Sequence, residues 1–178
     1  MNLVKIGKYI SLLLRHRPEA EGLHMDEHGW VDAQELIDAL ARKFPGFDRD
    51  VLDRIVAEND KKRYSYSEDG TRIRANQGHS IDVDVEMPEA EPPEILWHGS
   101  AERFASSIEE KGLLPQSRRY VHLSMDKQTA YTVGKRHGKP VIYMVRSGEM
   151  YRDGYIFYCS ANGVWQTAAV PVRYLYRQ

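Results

Sequence analysis

Arginine stands beside or near histidine three times in this sequence: Arg15-His16 in SLLLRHRPE, Arg118 ahead of His122 in QSRRYVHLS, and Arg136-His137 in GKRHGKP. A guanidinium offers paired planar donors that match two phosphate oxygens, and an imidazole titrates close to neutral pH. Together they suit a site that grips a multiply charged phosphate and moves a proton. A plainer reading stands beside it. Arg15 and His16 fall where Pro18 must stop a helix, and cations in a last helical turn satisfy open carbonyls and the helix dipole. The same holds for Arg136-His137, so local sequence leaves both readings open.

Three further stretches carry candidate chemistry. In TRIRANQGHS, a strand would put Arg72 and Arg74 on one face and Ile73 on the other, followed by a polar turn of Gln77, Gly78, His79 and Ser80. In LWHGS, His98, Gly99 and Ser100 read as an imidazole, a bare backbone and a hydroxyl at one turn after an apolar strand. In YVHLS, His122 sits inside a strand, where a histidine is most often structural. The seven histidines show neither H-E-x-x-H spacing nor pairing with acids, and Cys159 is the only cysteine, so no metal site is expected. The glycine-rich P-loop and dinucleotide signatures and the serine nucleophile elbow are absent.

These residues need elements to position them. Leu3, Ile6, Ile10 and Leu13 recur at helical spacing. HGWVDAQELIDAL predicts a second helix with Asp32 and Glu35 as a capping box, and Leu36, Ile37 and Leu40 as its buried stripe. Asp48 caps a third, carrying Val51, Leu52, Ile55 and Val56, and RYSYSEDGTRIRA alternates around Asp69-Gly70 as a hairpin. Three helices and a hairpin follow the order of a winged-helix module. Residues 81–94, IDVDVEMPEAEPPE, hold six acids, three prolines and no basic residue. That composition rules out a helix or central strand and reads as a linker between lobes 1–80 and 95–178. Beyond it, EILWHGS is a strand leading into a helix with Phe104 and Ile108 on one face. Asp126 caps the helix KQTAYTVGKRHG, and PVIYMV, YIFYCS, GVWQTAAVP and VRYLYR are strand-like. The fold class expected is α+β.

At 178 residues, 42% hydrophobic and 29% charged, the chain has the composition of a soluble globular protein, and no apolar run reaches membrane-span length. MNLVKIGKY lacks a signal-peptide core, so a cytoplasmic protein, monomeric by default, is expected. The net charge of −1 says little about partners, but with the acidic stretch set aside the remainder is mildly basic.

Taken together, LLLRHRPE, GWVDAQELI, DKKRYSYSEDGTRIRANQGHS, LWHGS, YVHLS, KRHGKPVIYMV and NGVWQTAAVP closely resemble the RNA 2′-phosphotransferase family, in order and across nearly the whole chain. The resemblance implies an N-terminal winged-helix-like RNA-binding lobe and a C-terminal ADP-ribosyltransferase-like β-sandwich lobe that binds NAD. It implies that NAD is consumed, without a metal, to remove an internal 2′-phosphate from tRNA-like RNA. The route runs through a phospho-ADP-ribosylated RNA to 2′-OH RNA, nicotinamide and ADP-ribose 1″,2″-cyclic phosphate. The family's Arg-His-Arg-Arg tetrad carries over to Arg15, His16, Arg74 and Arg118, with Arg119 the neighbouring alternative for the fourth. His98, Gly99, Ser100, His122 and Ser124 fall on the NAD-binding positions. His122 stands where many ADP-ribosyltransferases have tyrosine, and Val164 where they have a catalytic glutamate. Gln77, His79, Arg119, Arg136 and His137 are candidates for holding the phosphate or RNA. Two alternatives remain: an ADP-ribosyltransferase that caps phosphorylated nucleic-acid ends, and a non-catalytic winged-helix nucleic-acid-binding protein. The acid-rich second and third helices argue against the latter.

Overall fold

The stripe at Ile6, Ile10 and Leu13 builds helix α1 (Leu3–Arg15), which buries those residues and Leu14. Each such side chain contributes about 1.5–3 kcal/mol when taken from water into a core. The computed structural model describes residues 2–178, and they form two compact units that divide between Glu86 and Met87.

In the first unit, Pro18 opens a 3-10 turn over Pro18–Glu21 directly after α1. Strand β1 (Val31–Asp32) precedes α2 (Ala33–Lys43), and Asp48 caps α3 (Arg49–Ala57) by accepting the Val51 N–H. Asp32 accepts the N–H groups of Gln34 and Glu35, but Glu35 does not return the bond as a capping box requires. Its carboxylate is taken by His24, through backbone N–H and Nδ1. β2 (Tyr64–Tyr66) and β3 (Arg72–Ala75) form the hairpin, with Gly70 at φ +70 in its turn. β1 adds to the other edge of β3 to give the antiparallel order β1-β3-β2. The core runs from Ile6 to Ala75 and includes Leu36, Leu40, Leu52 and Ile73. The start of the acidic stretch packs here too. Val83 and Val85 are buried, and the Asp84 N–H donates to the Glu27 carbonyl.

The second unit has two antiparallel three-stranded sheets. One orders β4 (Leu96–Ala101), β6 (Pro140–Val145) and β9 (Leu175–Arg177); the other orders β5 (Val121–Leu123), β8 (Trp165–Thr167) and β7 (Phe157–Cys159). Trp97 and Ser124 exchange both backbone hydrogen bonds, at 2.9 and 2.7 Å, and so tie β4 to β5. Helix α5 (Lys127–Lys135), capped by Asp126, lies along β4. Core residues include Leu96, Val121, Leu123, Tyr143, Val145 and Phe157.

Three expectations are corrected in this unit. The helix after β4 is a 3-10 turn (Glu102–Phe104) followed by α4 (Ala105–Lys111), and Phe104 is exposed under the Arg103 guanidinium rather than sharing Ile108's buried face. A short helix α6 (Ser147–Arg152) was not foreseen, because six residues are too few to show a period. Gly99 is not at a turn: all of Leu96–Ala101 pairs in register with Pro140–Val145. Overall the fold is mixed α and β with small antiparallel sheets, as the α+β class requires. Among the described residues no helix is long and apolar enough to cross a membrane.

Candidate active site

In the first unit the end of α1 and the residues after β3 come together. His16 is the C-cap of α1, its N–H donating to the Leu12 carbonyl. The Arg15 carbonyl accepts the Ser80 N–H at 3.0 Å, and His16 Nδ1 lies 2.8 Å from Ser80 Oγ. A hydroxyl both donates and accepts, so Ser80 can hold this imidazole whether or not Nδ1 carries a proton. His79, next in chain, is buried, and its Nε2 has no hydrogen-bond partner. Burial first, then the positive charges of Arg15, His16 and Arg74, push its pKa down to about 4, so at neutral pH it is an uncharged imidazole. Gln77 is half-buried, with Oε1 shielded and unpartnered.

Arg74 reaches the same neighbourhood from β3. Strand alternation puts Arg72 and Arg74 on one face, and both stack on Trp30, at 5.4 and 4.3 Å from the ring centroid. Ile73 turns into the core. Arg74 Nη1 donates to the His28 carbonyl at 3.3 Å and lies 3.8 Å from a Glu86 carboxylate oxygen, while its Nε is buried without a partner. Arg15, His16 and Arg74 thus all act as positive charges on the buried His79 ring, with the Glu86 carboxylate beside Arg74 offsetting part of that charge.

In the second unit, His98 on β4 donates from Nδ1 to the His122 carbonyl at 2.9 Å. Burial lowers its pKa, so the ring is neutral and Nε2 carries a lone pair, fit to accept a hydrogen bond from a sugar hydroxyl. Arg118 donates from Nη1 to His122 Nδ1 at 3.2 Å, whereas Arg119 lies over the Tyr120 ring at 5.8 Å. Arg118 is thereby joined to the histidine pair. Ser124, in the junction with Trp97, and Ser100, three residues along β4 from Trp97, are both half-buried. A Cβ on Gly99 would stand 1.7 Å from the Ala130 carbonyl oxygen, so this glycine is required for α5 to approach β4. Arg136 and His137 are exposed at the end of α5, just before Gly138, which faces Ala101. Ala101 is roughly 10 Å along the strand from His98 at about 3.3 Å per residue.

The sequence reading missed Trp30, Glu86 and Gln166. Gln166 pairs directly with His122, is buried, and leaves Nε2 without a partner. Nothing local marks these three; only the tertiary arrangement sets them beside the arginines and histidines. Among the described residues no three His, Cys, Asp or Glu side chains converge to hold a metal ion.

A mixed α/β chain of small sheets, with arginine-histidine clusters suited to phosphate, fits a group-transfer protein better than a structural one. Comparison with known proteins makes this specific. The model of the family described as "RNA 2′-phosphotransferase, Tpt1 / KptA family" matches residues 1–169. A probable RNA 2′-phosphotransferase of Flavobacterium johnsoniae is 52% identical over 175 residues, covering 98% of this chain and 96% of its own. Proteins of the same name from Streptomyces coelicolor and Acaryochloris marina are 51% and 47% identical, each over 97% of this chain and covering 93% and 95% of their own lengths. The chain belongs to the RNA 2′-phosphotransferase family.

Proposed function

We propose that this protein removes an internal 2′-phosphate from RNA by passing it to NAD, with a winged-helix-like first unit and an ADP-ribosyltransferase-like second unit. The observation that carries the reading is the junction of Arg15 and His16 with Ser80 beside the buried, neutral His79, on which Arg15, His16 and Arg74 all act as positive charges. Arg15 and Arg74 hold the phosphate oxygens and take up the charge that builds on them during transfer. Trp30 and the His28 carbonyl fix the Arg74 guanidinium plane. His16 gives a proton to the departing RNA oxygen, and Ser80 keeps the ring oriented as its protonation changes. His79 sits beside the arginines without adding charge, because burial keeps its ring neutral.

NAD, when bound, supplies an electrophilic ribose carbon for the phosphate and a neighbouring hydroxyl that frees the RNA. The donors and acceptors of the second unit suit it. His98 Nε2 accepts from a ribose hydroxyl, Ser100 and Ser124 add hydroxyls, and Gln166 Nε2 is a buried donor lacking an acceptor. His122, held by Arg118, lines the same wall, and Arg118 gives that wall a positive charge. Gly99 lets the backbone lie flat beneath α5.

The test is turnover of a defined RNA carrying one internal 2′-phosphate, with and without NAD. The expected result is dephosphorylated RNA and one nicotinamide released per phosphate removed. Phosphate loss without NAD, or an ADP-ribose left permanently on the RNA, would overturn the reading. An end-phosphorylated RNA should be a far poorer substrate, and equal rates on the two would count equally against it.

A further inference from the structure

The first unit has an opening that the phosphate cluster does not account for. A groove of about 490 Å³ runs along α1 and the segment after α3, within the size range of small-ligand sites. Val4, Lys8, Ser11 and Arg15 line it at steps of three and four, so they form one helix face about 17 Å long at 1.5 Å per residue. The opposite wall carries Lys61 and Arg63, with Glu58 and Asp60 beside them. In all, four cations and two acids line the groove. Val4 is 71% exposed, an apolar side chain left in water on the groove's lip.

Gly7 forms the floor, and its presence is telling. A mid-helix glycine costs roughly 1 kcal/mol against alanine. Packing does not require it here, since a Cβ would meet only Ile55 Cγ2 at 3.7 Å, an ordinary contact. Arg15 is shared by the groove and the Ser80 turn.

We propose that this groove is the track for the single-stranded RNA flanking the 2′-phosphate, with Lys8, Lys61 and Arg63 on backbone phosphates and the Val4–Gly7 surface under a ribose or base. The proposal rests on the function argued above, and its test is chosen to fail separately. An unphosphorylated RNA decamer is titrated by fluorescence anisotropy across a salt series, using the full chain. The double substitution Lys8→Ala/Lys61→Ala should lower the salt slope by about 1.4, and affinity at 0.1 M salt about 25-fold, as two lost single-strand phosphate contacts require. Gly7→Met should weaken binding without lowering the melting temperature, which guards against a folding artefact. Arg42→Ala, on the exposed face of α2, should keep the wild-type slope.

In turnover, the wild-type preference for a 2′-phosphorylated decamer over a 2′-phosphorylated dinucleotide should shrink at least tenfold in the double variant. An unchanged slope, or equal loss on both lengths, would overturn the groove. So would an acidic peptide that outcompetes RNA with the same dependence on Lys8 and Lys61, since that would assign the surface to a protein partner. A wild type that binds through these lysines but removes no phosphate refutes the functional reading and leaves the groove supported.

Discussion

Replacing His79 with glutamine isolates a pH dependence built into the first unit. His79 is 6% exposed, and its pKa falls from the ordinary 6.5 to about 4, through burial first and then the neighbouring positive charges. Between those values the unfolded chain binds a proton that the folded chain refuses, so stability rises with pH and is lost on acidification. The full gap is worth about 3 kcal/mol once both ends are passed. Integrating only from pH 7 down to pH 5 gives about 2 kcal/mol, a window in which few carboxylates have begun to protonate. Urea unfolding at the two pH values, on wild type and His79→Gln, measures it as a difference of differences. The wild type should lose about 2 kcal/mol more than the variant on acidification, with equal m-values marking a common unfolded state. Parallel losses would show that His79 is either solvated in the native protein or free of the three charges around it, and the reasoning would fail.

Three further outcomes are expected. Gly99→Ala puts a methyl carbon 1.7 Å from a backbone oxygen, so it should destabilise by about 3 kcal/mol or more, read as a fall in the urea midpoint. A wild-type midpoint would mean that α5 does not lie against β4 as described. Arg118→Ala should lower kcat/KM on 2′-phosphorylated RNA by about 100-fold or more, while Arg119→Ala, stacked on Tyr120, stays within about threefold; the reverse order would exchange their roles. His16→Ala, with excess NAD, should accumulate an RNA that migrates more slowly than substrate or product in a gel. An inert variant showing no such band would remove His16 from the proton-transfer step.

Local signals were readable from residue types because they depend on few atoms. The stripe of α1, the Asp48 and Asp126 caps and the Asp69-Gly70 hairpin all involve residues within a turn or two of each other. Signals that depend on distant chain were not. Glu35 has the residue type and spacing of a capping box, yet His24 takes its carboxylate. Gly99 looks like a turn residue until α5 is laid across the strand. In the candidate site, Arg15, His16 and His79 stand out as residue types, but the Ser80 contacts that gather them join positions more than sixty residues apart. His79's neutrality follows from burial that no local pattern reveals, and Trp30, Glu86 and Gln166 matter only through what they touch.

Glu86 has a consequence for selectivity. Its carboxylate stands 3.8 Å from Arg74 and 3.8 Å from His28 Nδ1, so the guanidinium already has an anionic companion. An incoming group must outbid that companion as well as shed its own hydration. A phosphomonoester, with two charges, is better equipped for the exchange than the singly charged diesters along any RNA backbone. A resident acid at this guanidinium thus favours a doubly charged group over a singly charged one.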